Sequence, residues 1–153
     1  MYRKPSLLLR RIADPALMWV IRRGFSPRGS QVLRVHGRSS GEMRETPVNP
    51  LELDGELYLV APRGTTHWVR NLRAAGEGEL LRGEERTRFR AENLENSEKA
   101  PVLKAYLQRW EQETSRQFGI KPDAALEQFA AIAPLHPVFR LVDVQKQPAE
   151  GQG

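Results

Sequence analysis

Three arginines and two serines, gathered at two turns, mark where this chain can do chemistry. The first cluster is Gly37-Arg38-Ser39-Ser40-Gly41 with Arg44 close behind, and the second is Pro62-Arg63-Gly64 just ahead of Thr65 and Thr66. Guanidinium forks, hydroxyls, the free N–H groups of small-residue turns and a helix start are the donors that a phosphate or a polyanion requires. The chemistry on offer is therefore capture of an acidic ligand.

Other chemistries fit less well. Gly37-x-Ser39-x-Gly41 matches the nucleophile elbow of serine hydrolases, and Asp123 and His136 follow in triad order. That chemistry needs a strand turning directly into a helix, whereas Pro47 and Pro50 follow here and the next run reads as a strand. The three histidines (36, 67, 136) have neither H-x-x-x-H nor H-E-x-x-H spacing, so no metal site is expected. There is no phosphate-binding G-x-x-x-x-G-K-[ST] and no G-x-G-x-x-G. The chain has no cysteine, which rules out disulfides, thiolate metal sites and a cysteine nucleophile.

Charge is unevenly placed. The net charge is +5, yet residues 1–38 carry nine Lys/Arg against Asp14 alone, a balance of +8, leaving −3 for the remainder. The front of the chain thus faces a lipid surface, a phosphorylated ligand or nucleic acid, unless it is a solvated basic face. Nucleic acid is not expected, because the excess sits on an apolar helix rather than on an aromatic-studded sheet.

The elements that must position the two turns can be read in order. Residues 1–24 form a basic amphipathic helical segment, with Asp14-Pro15 as its cap and first turn. Its apolar run is far shorter than the ~20 residues that span a bilayer. It either packs on the body as an ordinary helix or lies in an anionic membrane interface through residues 1–23. Residues 25–30 read as a linker. A strand over 31–36 feeds the first turn. A second extended run, 44–53, carries Pro47 and Pro50 and is expected to be one edge or bulged strand. Asp54-Gly55 between two alternating runs signals a hairpin, whose return strand spans 56–61. Thr65 or Thr66 caps a helix over 67–75, stopped by Gly76.

Residues 79–82 and 85–91 form another hairpin turning at Gly83, with Arg86, Arg88 and Arg90 on its solvated face. A long helix is expected over 97–118, burying Val102, Leu103, Tyr106, Leu107 and Trp110. A short helix follows, with Leu126, Phe129 and Ile132 inward, then a last strand over 137–144. Residues 145–153 read as a flexible tail. Short antiparallel strands with a helical pair predict an α+β fold, one domain over 31–144 built as a small closed or split barrel.

Gly37-Arg38-x-Ser40-Gly41-x-x-Arg44-x-x-Pro47 is similar to the turn motif of the deazaflavin-dependent nitroreductase and quinone reductase family. Arg63-Gly64-x-x-x-Trp68-Val69-Arg70-Asn71-Leu72 resembles its second motif, in the same order and across a similar hairpin. The resemblance covers about residues 32–107. It departs from the family at Ser39, where many members carry Lys or Arg, at Pro62-Arg63 in place of a Ser-Lys pair, and in a shorter loop from Gly64 to Trp68.

The resemblance implies a split β-barrel of the flavin-reductase type and coenzyme F420, with FMN as the alternative and haem in a sister branch. Arg38, Ser39, Ser40, Arg44 and Arg63 would hold the phosphate or oligoglutamate tail, and Pro62 and Gly64 are counted with the cofactor-binding residues. Pro47, Val48, Ala61 and Trp68 would wall the ring, and Asn71 would hold a ring group or brace the helix start. The implied activity is hydride transfer to a lipophilic acceptor such as a quinone or nitroaromatic. The reduced coenzyme carries the hydride, so no catalytic acid–base pair is needed. Tyr106 is a candidate proton donor, although its apolar stripe favours a core role. A non-catalytic basic domain, binding lipid or sequestering a flavin-like ligand, is the rival class. The expected setting is cytoplasmic, and the oligomeric state is not legible.

Overall fold

The computed structural model describes residues 29–148. The expected helical segment 1–24, most of the linker and any membrane contact of residues 1–23 lie outside the described residues, as does the end of the tail from 149. Among the described residues no helix is long and apolar enough to cross a membrane.

Among the described residues seven strands form one antiparallel sheet: β1 (Gln31–His36), β2 (Met43–Val48), β3 (Leu51–Leu53), β4 (Glu56–Val60), β5 (Glu77–Arg82), β6 (Glu85–Asn93) and β7 (Val138–Pro148). Their order across the sheet is β2-β1-β5-β6-β7-β4-β3. Chain continuity dictates its shape. The two edge strands, β2 and β3, are joined only by Asn49 and Pro50, so Val48 and Leu51 lie at most about 11 Å apart. A sheet whose opposite edges meet must curl round, which gives the split barrel expected from the sequence.

The expectation of one strand over 44–53 is thereby corrected: the run is two strands on opposite edges. Pro47 sits on the outermost strand, where a missing N–H breaks no ladder. The junction is pinned from outside, because the Trp110 indole N–H donates to the Pro50 carbonyl at 3.1 Å.

The hairpin at Asp54-Gly55 forms as read, with φ of 53° and 81° at the two turn residues. Those positive angles belong to the tight turn that matches strand twist, and Gly relieves the second one. Strand β4 is apolar on both faces. Tyr58 and Val60 join a core beneath the helices, while Leu59 and the adjoining Ala61 join the barrel interior. Burial on both sides explains why Leu57 to Ala61 does not alternate.

Helix α1 (His67–Ala75) keeps the bounds read from the sequence, ending at Gly76 (φ 75°), whose N–H donates to the Leu72 carbonyl at 2.8 Å. It buries Val69 and Leu72 against Leu33, Leu80 and Phe89 of the sheet. The expected helix over 97–118 is a 3-10 turn (Asn96–Glu98), then α2 (Ala100–Arg109) and α3 (Glu111–Phe118). The break falls at Trp110 (φ −121°, ψ 37°), whose ring is 1% exposed and tied to Pro50. The predicted stripe of Val102, Leu103, Tyr106, Leu107 and Trp110 is buried throughout. Helix α4 (Leu126–Ile132) buries Phe129, while Leu126, expected inward, is 48% exposed.

Strand β7 runs past the expected end at Val144 to Pro148, pairing Gln145 with Arg88 and Pro148 with Glu85. A register shift opposite Phe89 accompanies Asp143 at φ 51° and its ion pair with Arg90 at 3.0 Å. The polar residues after 144 are therefore strand residues up to Pro148, paired with β6 along one side of their backbone. Glu79 collects Arg34, Arg86 and Arg88 at 3.9, 3.6 and 3.8 Å, which accounts for Arg86 and Arg88 on the outer face.

Candidate functional site

The turn over residues 37–42 joins β1 to β2 and is closed from within. The Gly37 N–H donates to the Glu42 carbonyl at 2.7 Å, and the Gly41 N–H to the Gly37 carbonyl at 2.9 Å. His36 Nδ1 lies 3.0 Å from the Gly41 carbonyl, so that ring nitrogen carries the proton. The Ser40 hydroxyl accepts from the Glu42 N–H at 3.1 Å and stands 3.5 Å from Arg44 Nη2. A Cβ at Gly37 would lie 3.2 Å from both Arg44 Nε and Ser40 Oγ. Gly37 thus lets Arg44 fold back over the turn, and Arg38, Ser39 and Ser40 of the turn and Arg44 at the start of β2 all reach solvent. With two strands joined and no helix following, this turn is not a hydrolase elbow.

Helix α1 docks against that turn. Asn71 is buried, and its side-chain oxygen accepts from the Arg38 N–H at 3.1 Å and from Arg38 Nη1 at 2.7 Å. The other terminal nitrogen of the same guanidinium, Nη2, is 3.3 Å from His67 Nδ1. His67 and Asn71 are four residues apart, one helical turn, so they present a single face to Arg38. The two sequence motifs are joined through this contact. Asn71 therefore braces the turn against the helix.

The second loop, residues 61–66, feeds the same helix. Its path is set by Gly64 (φ 87°), with the Gly64 N–H donating to the Ala61 carbonyl at 3.1 Å and the Thr66 N–H to the Gly64 carbonyl at 3.0 Å. Arg63 is exposed on it, three residues before Thr66, the N-cap. Thr66 holds the predicted cap position but makes no side-chain capping bond, and its Oγ1 is buried without a partner. No acidic residue occupies the first turn of α1. The helix start is accordingly a cationic end that no anionic side chain of its own first turn neutralises.

The ring-wall candidates fall into two sets. Pro47 and Trp68 are half-buried, as are Pro62 and Gly64 of the second loop, and Trp68 packs on the barrel core with its ring 6.0 Å from Phe139. Val48 and Ala61 are 9% and 1% exposed, so they back the site rather than line it. Tyr106 is 1% exposed beneath the helices, its ring 6.2 Å from Phe118. It does not join the turns, in keeping with the core role that its apolar stripe favoured.

His67 is exposed at the start of α1, and sequence reasoning missed a buried pair under the second loop. His136 is 4% exposed against Phe118, with ring centroids 4.6 Å apart and Nδ1 unpartnered. Burial pushes its pKa down, the carbonyls of Ala61 and Pro62 partly restore it, and Lys99 lowers it further. Lys99 is itself buried, donates to the Ala133 carbonyl at 3.0 Å, and is lowered by burial and by Arg73. The Ala61 N–H donates to the Pro137 carbonyl at 2.9 Å, so residues 133–137 are the floor of the loop. His136 between prolines carried no sequence signal for this role. His67 and Asn71 at helical spacing did carry one.

The family model for F420H(2)-dependent quinone reductase matches residues 21–124, which is more than half of the chain. A search of curated proteins found no match. Among solved structures, an F420-H2 dependent reductase (FDR-A) is 21% identical, covering 74% of this chain and 94% of that one, with a TM-score of 0.50. A nimc/nima family protein from Clostridium acetobutylicum is 11% identical over 90% and 88% of the two chains, with a TM-score of 0.56. A Listeria innocua protein described as a pyridoxamine 5′-phosphate oxidase is 13% identical over 78% and 87%, with a TM-score of 0.54. At these identities the structural likeness speaks for the fold.

Proposed function

The chain belongs to the F420H(2)-dependent quinone reductase family, and from that premise we propose that it passes a hydride from reduced coenzyme F420 to a lipophilic acceptor, a quinone or nitroaromatic. Coenzyme F420 is the cofactor of the family, and the donors present here fit it. Exposed Arg38, Ser39 and Ser40 on one turn, with Arg44 at the start of β2, suit an acidic tail, as does Arg63 ahead of an α1 start that lacks an acidic first turn. The orphaned Thr66 Oγ1 marks the same helix start as short of a partner.

The coenzyme supplies the hydride when bound; the chain supplies placement. Arg38 and Arg44 would neutralise the phosphate or carboxylates, and Asn71 keeps Arg38 in position. The half-buried faces of Pro47, Pro62 and Trp68 would exclude water from one side of the ring. Holding donor and acceptor together while shutting out solvent is enough for an intrinsically reactive donor.

The single observation that carries the reading is the Arg38–Asn71 contact, which joins the two motifs at one place. Fluorescence titration of the full chain with F420, with FMN as the control, tests it. Preferential F420 binding followed by quinone or nitroaromatic turnover is expected. Tight FMN binding without F420 binding overturns the cofactor assignment, and F420 binding without turnover of any acceptor points to sequestration.

A further inference from the structure

Arg38 is held by two side chains of α1, and only Asn71 belongs to the motif that the sequence singled out. The second is His67, the first helical residue, whose Nδ1 lies 3.3 Å from Arg38 Nη2. A guanidinium can only donate, so this contact is a hydrogen bond only when Nδ1 is the bare acceptor and the ring proton sits on Nε2. His36, on the other side of the turn, must hold the opposite tautomer because its Nδ1 faces a carbonyl.

From this geometry, and resting on the coenzyme reading above, we infer that His67 is a positioning residue for Arg38. His67 holds Nη2 of the guanidinium while Asn71 holds Nη1, so both arms of the fork are fixed against α1. Removing the Nδ1 acceptor should therefore lower coenzyme affinity through loss of Arg38's placement, with the fold intact.

Two substitutions separate this from a merely structural role. His67→Asn keeps an acceptor near the Nδ1 position, and His67→Leu has none. Titrations of the full chain with F420 at pH 7.5 should show His67→Leu losing about tenfold in affinity, the scale of one charged hydrogen bond. His67→Asn should bind within about twofold of wild type, because its amide oxygen takes the place of Nδ1.

The coenzyme-free readout is the 15N spectrum of the His67 ring, expected to show the Nε2–H tautomer at neutral pH and to lose that bias in Arg38→Gln. An Nδ1–H tautomer, or His67→Leu binding with wild-type affinity, overturns the inference. Should the wild type bind no F420, the functional reading fails instead, and the ring spectrum still decides the Arg38–His67 contact.

Discussion

The side-chain oxygen of Asn71 receives both the backbone N–H and the guanidinium of Arg38, at 3.1 and 2.7 Å, across thirty-three positions of sequence. One acceptor thus ties both the backbone of the β1–β2 turn and its first arginine to α1. A buried acceptor bonded to a cation stabilises more than a neutral pair, and truncating it strands the donors.

Asn71→Ala should therefore weaken F420 binding by about 1–3 kcal/mol through lost placement of Arg38. Calorimetric or fluorescence titration measures it. Wild-type affinity in a folded variant would separate the turn's position from coenzyme binding.

Arg44 is folded over Gly37 beside Ser40 and is free of the α1 contact that holds Arg38. Arg44→Ala is expected to cost about 1–3 kcal/mol of coenzyme affinity, the range for one charged hydrogen bond, with little change in stability. Unchanged affinity removes Arg44 from the site.

His136 is buried and its pKa is lowered from 6.5, first by burial. A folded state that resists protonation is destabilised relative to an unfolded chain that accepts it. The contribution of this residue is full above 6.5 and is lost as pH falls from there through the folded value. Urea unfolding between pH 7.5 and 5 should show stability declining on acidification, and His136→Gln should flatten the decline. Equal slopes for the two proteins would contradict the assignment.

Tyr106, 1% exposed in the helical core, is placed too deep to meet an acceptor at the turns. Tyr106→Phe should leave turnover within about twofold of wild type, while any loss in stability stays near the ~1 kcal/mol of one hydrogen bond. A kcat reduced a hundredfold at unchanged stability would restore it as a proton donor.

Local signals made several elements legible. Thr66 and Gly76 bracket α1, Asp54-Gly55 names its hairpin, and the apolar stripe from Val102 to Trp110 is buried as its spacing requires. Each depends on backbone preference or periodicity within a few residues. The misjudged places depend on distant partners. The run through Pro47 and Pro50 reads as one strand until the sheet order puts its halves on opposite edges. The helix through Trp110 reads as continuous until the indole is drawn to Pro50, sixty positions away in the chain. The polar end of β7 reads as a tail until β6 pairs with it.

The candidate site divides in the same way. By itself the chain determined which groups are available: arginines and serines on flexible small-residue turns, because their donors and the glycines that free them are local properties of the sequence. It also determined that His67 and Asn71 share a helix face, since 3.6 residues make a turn. Only the tertiary structure decided what that face meets. Curling a seven-stranded sheet until its edges join sets α1 against the β1–β2 turn, and the partners of Arg38 follow from that packing rather than from any spacing along the chain.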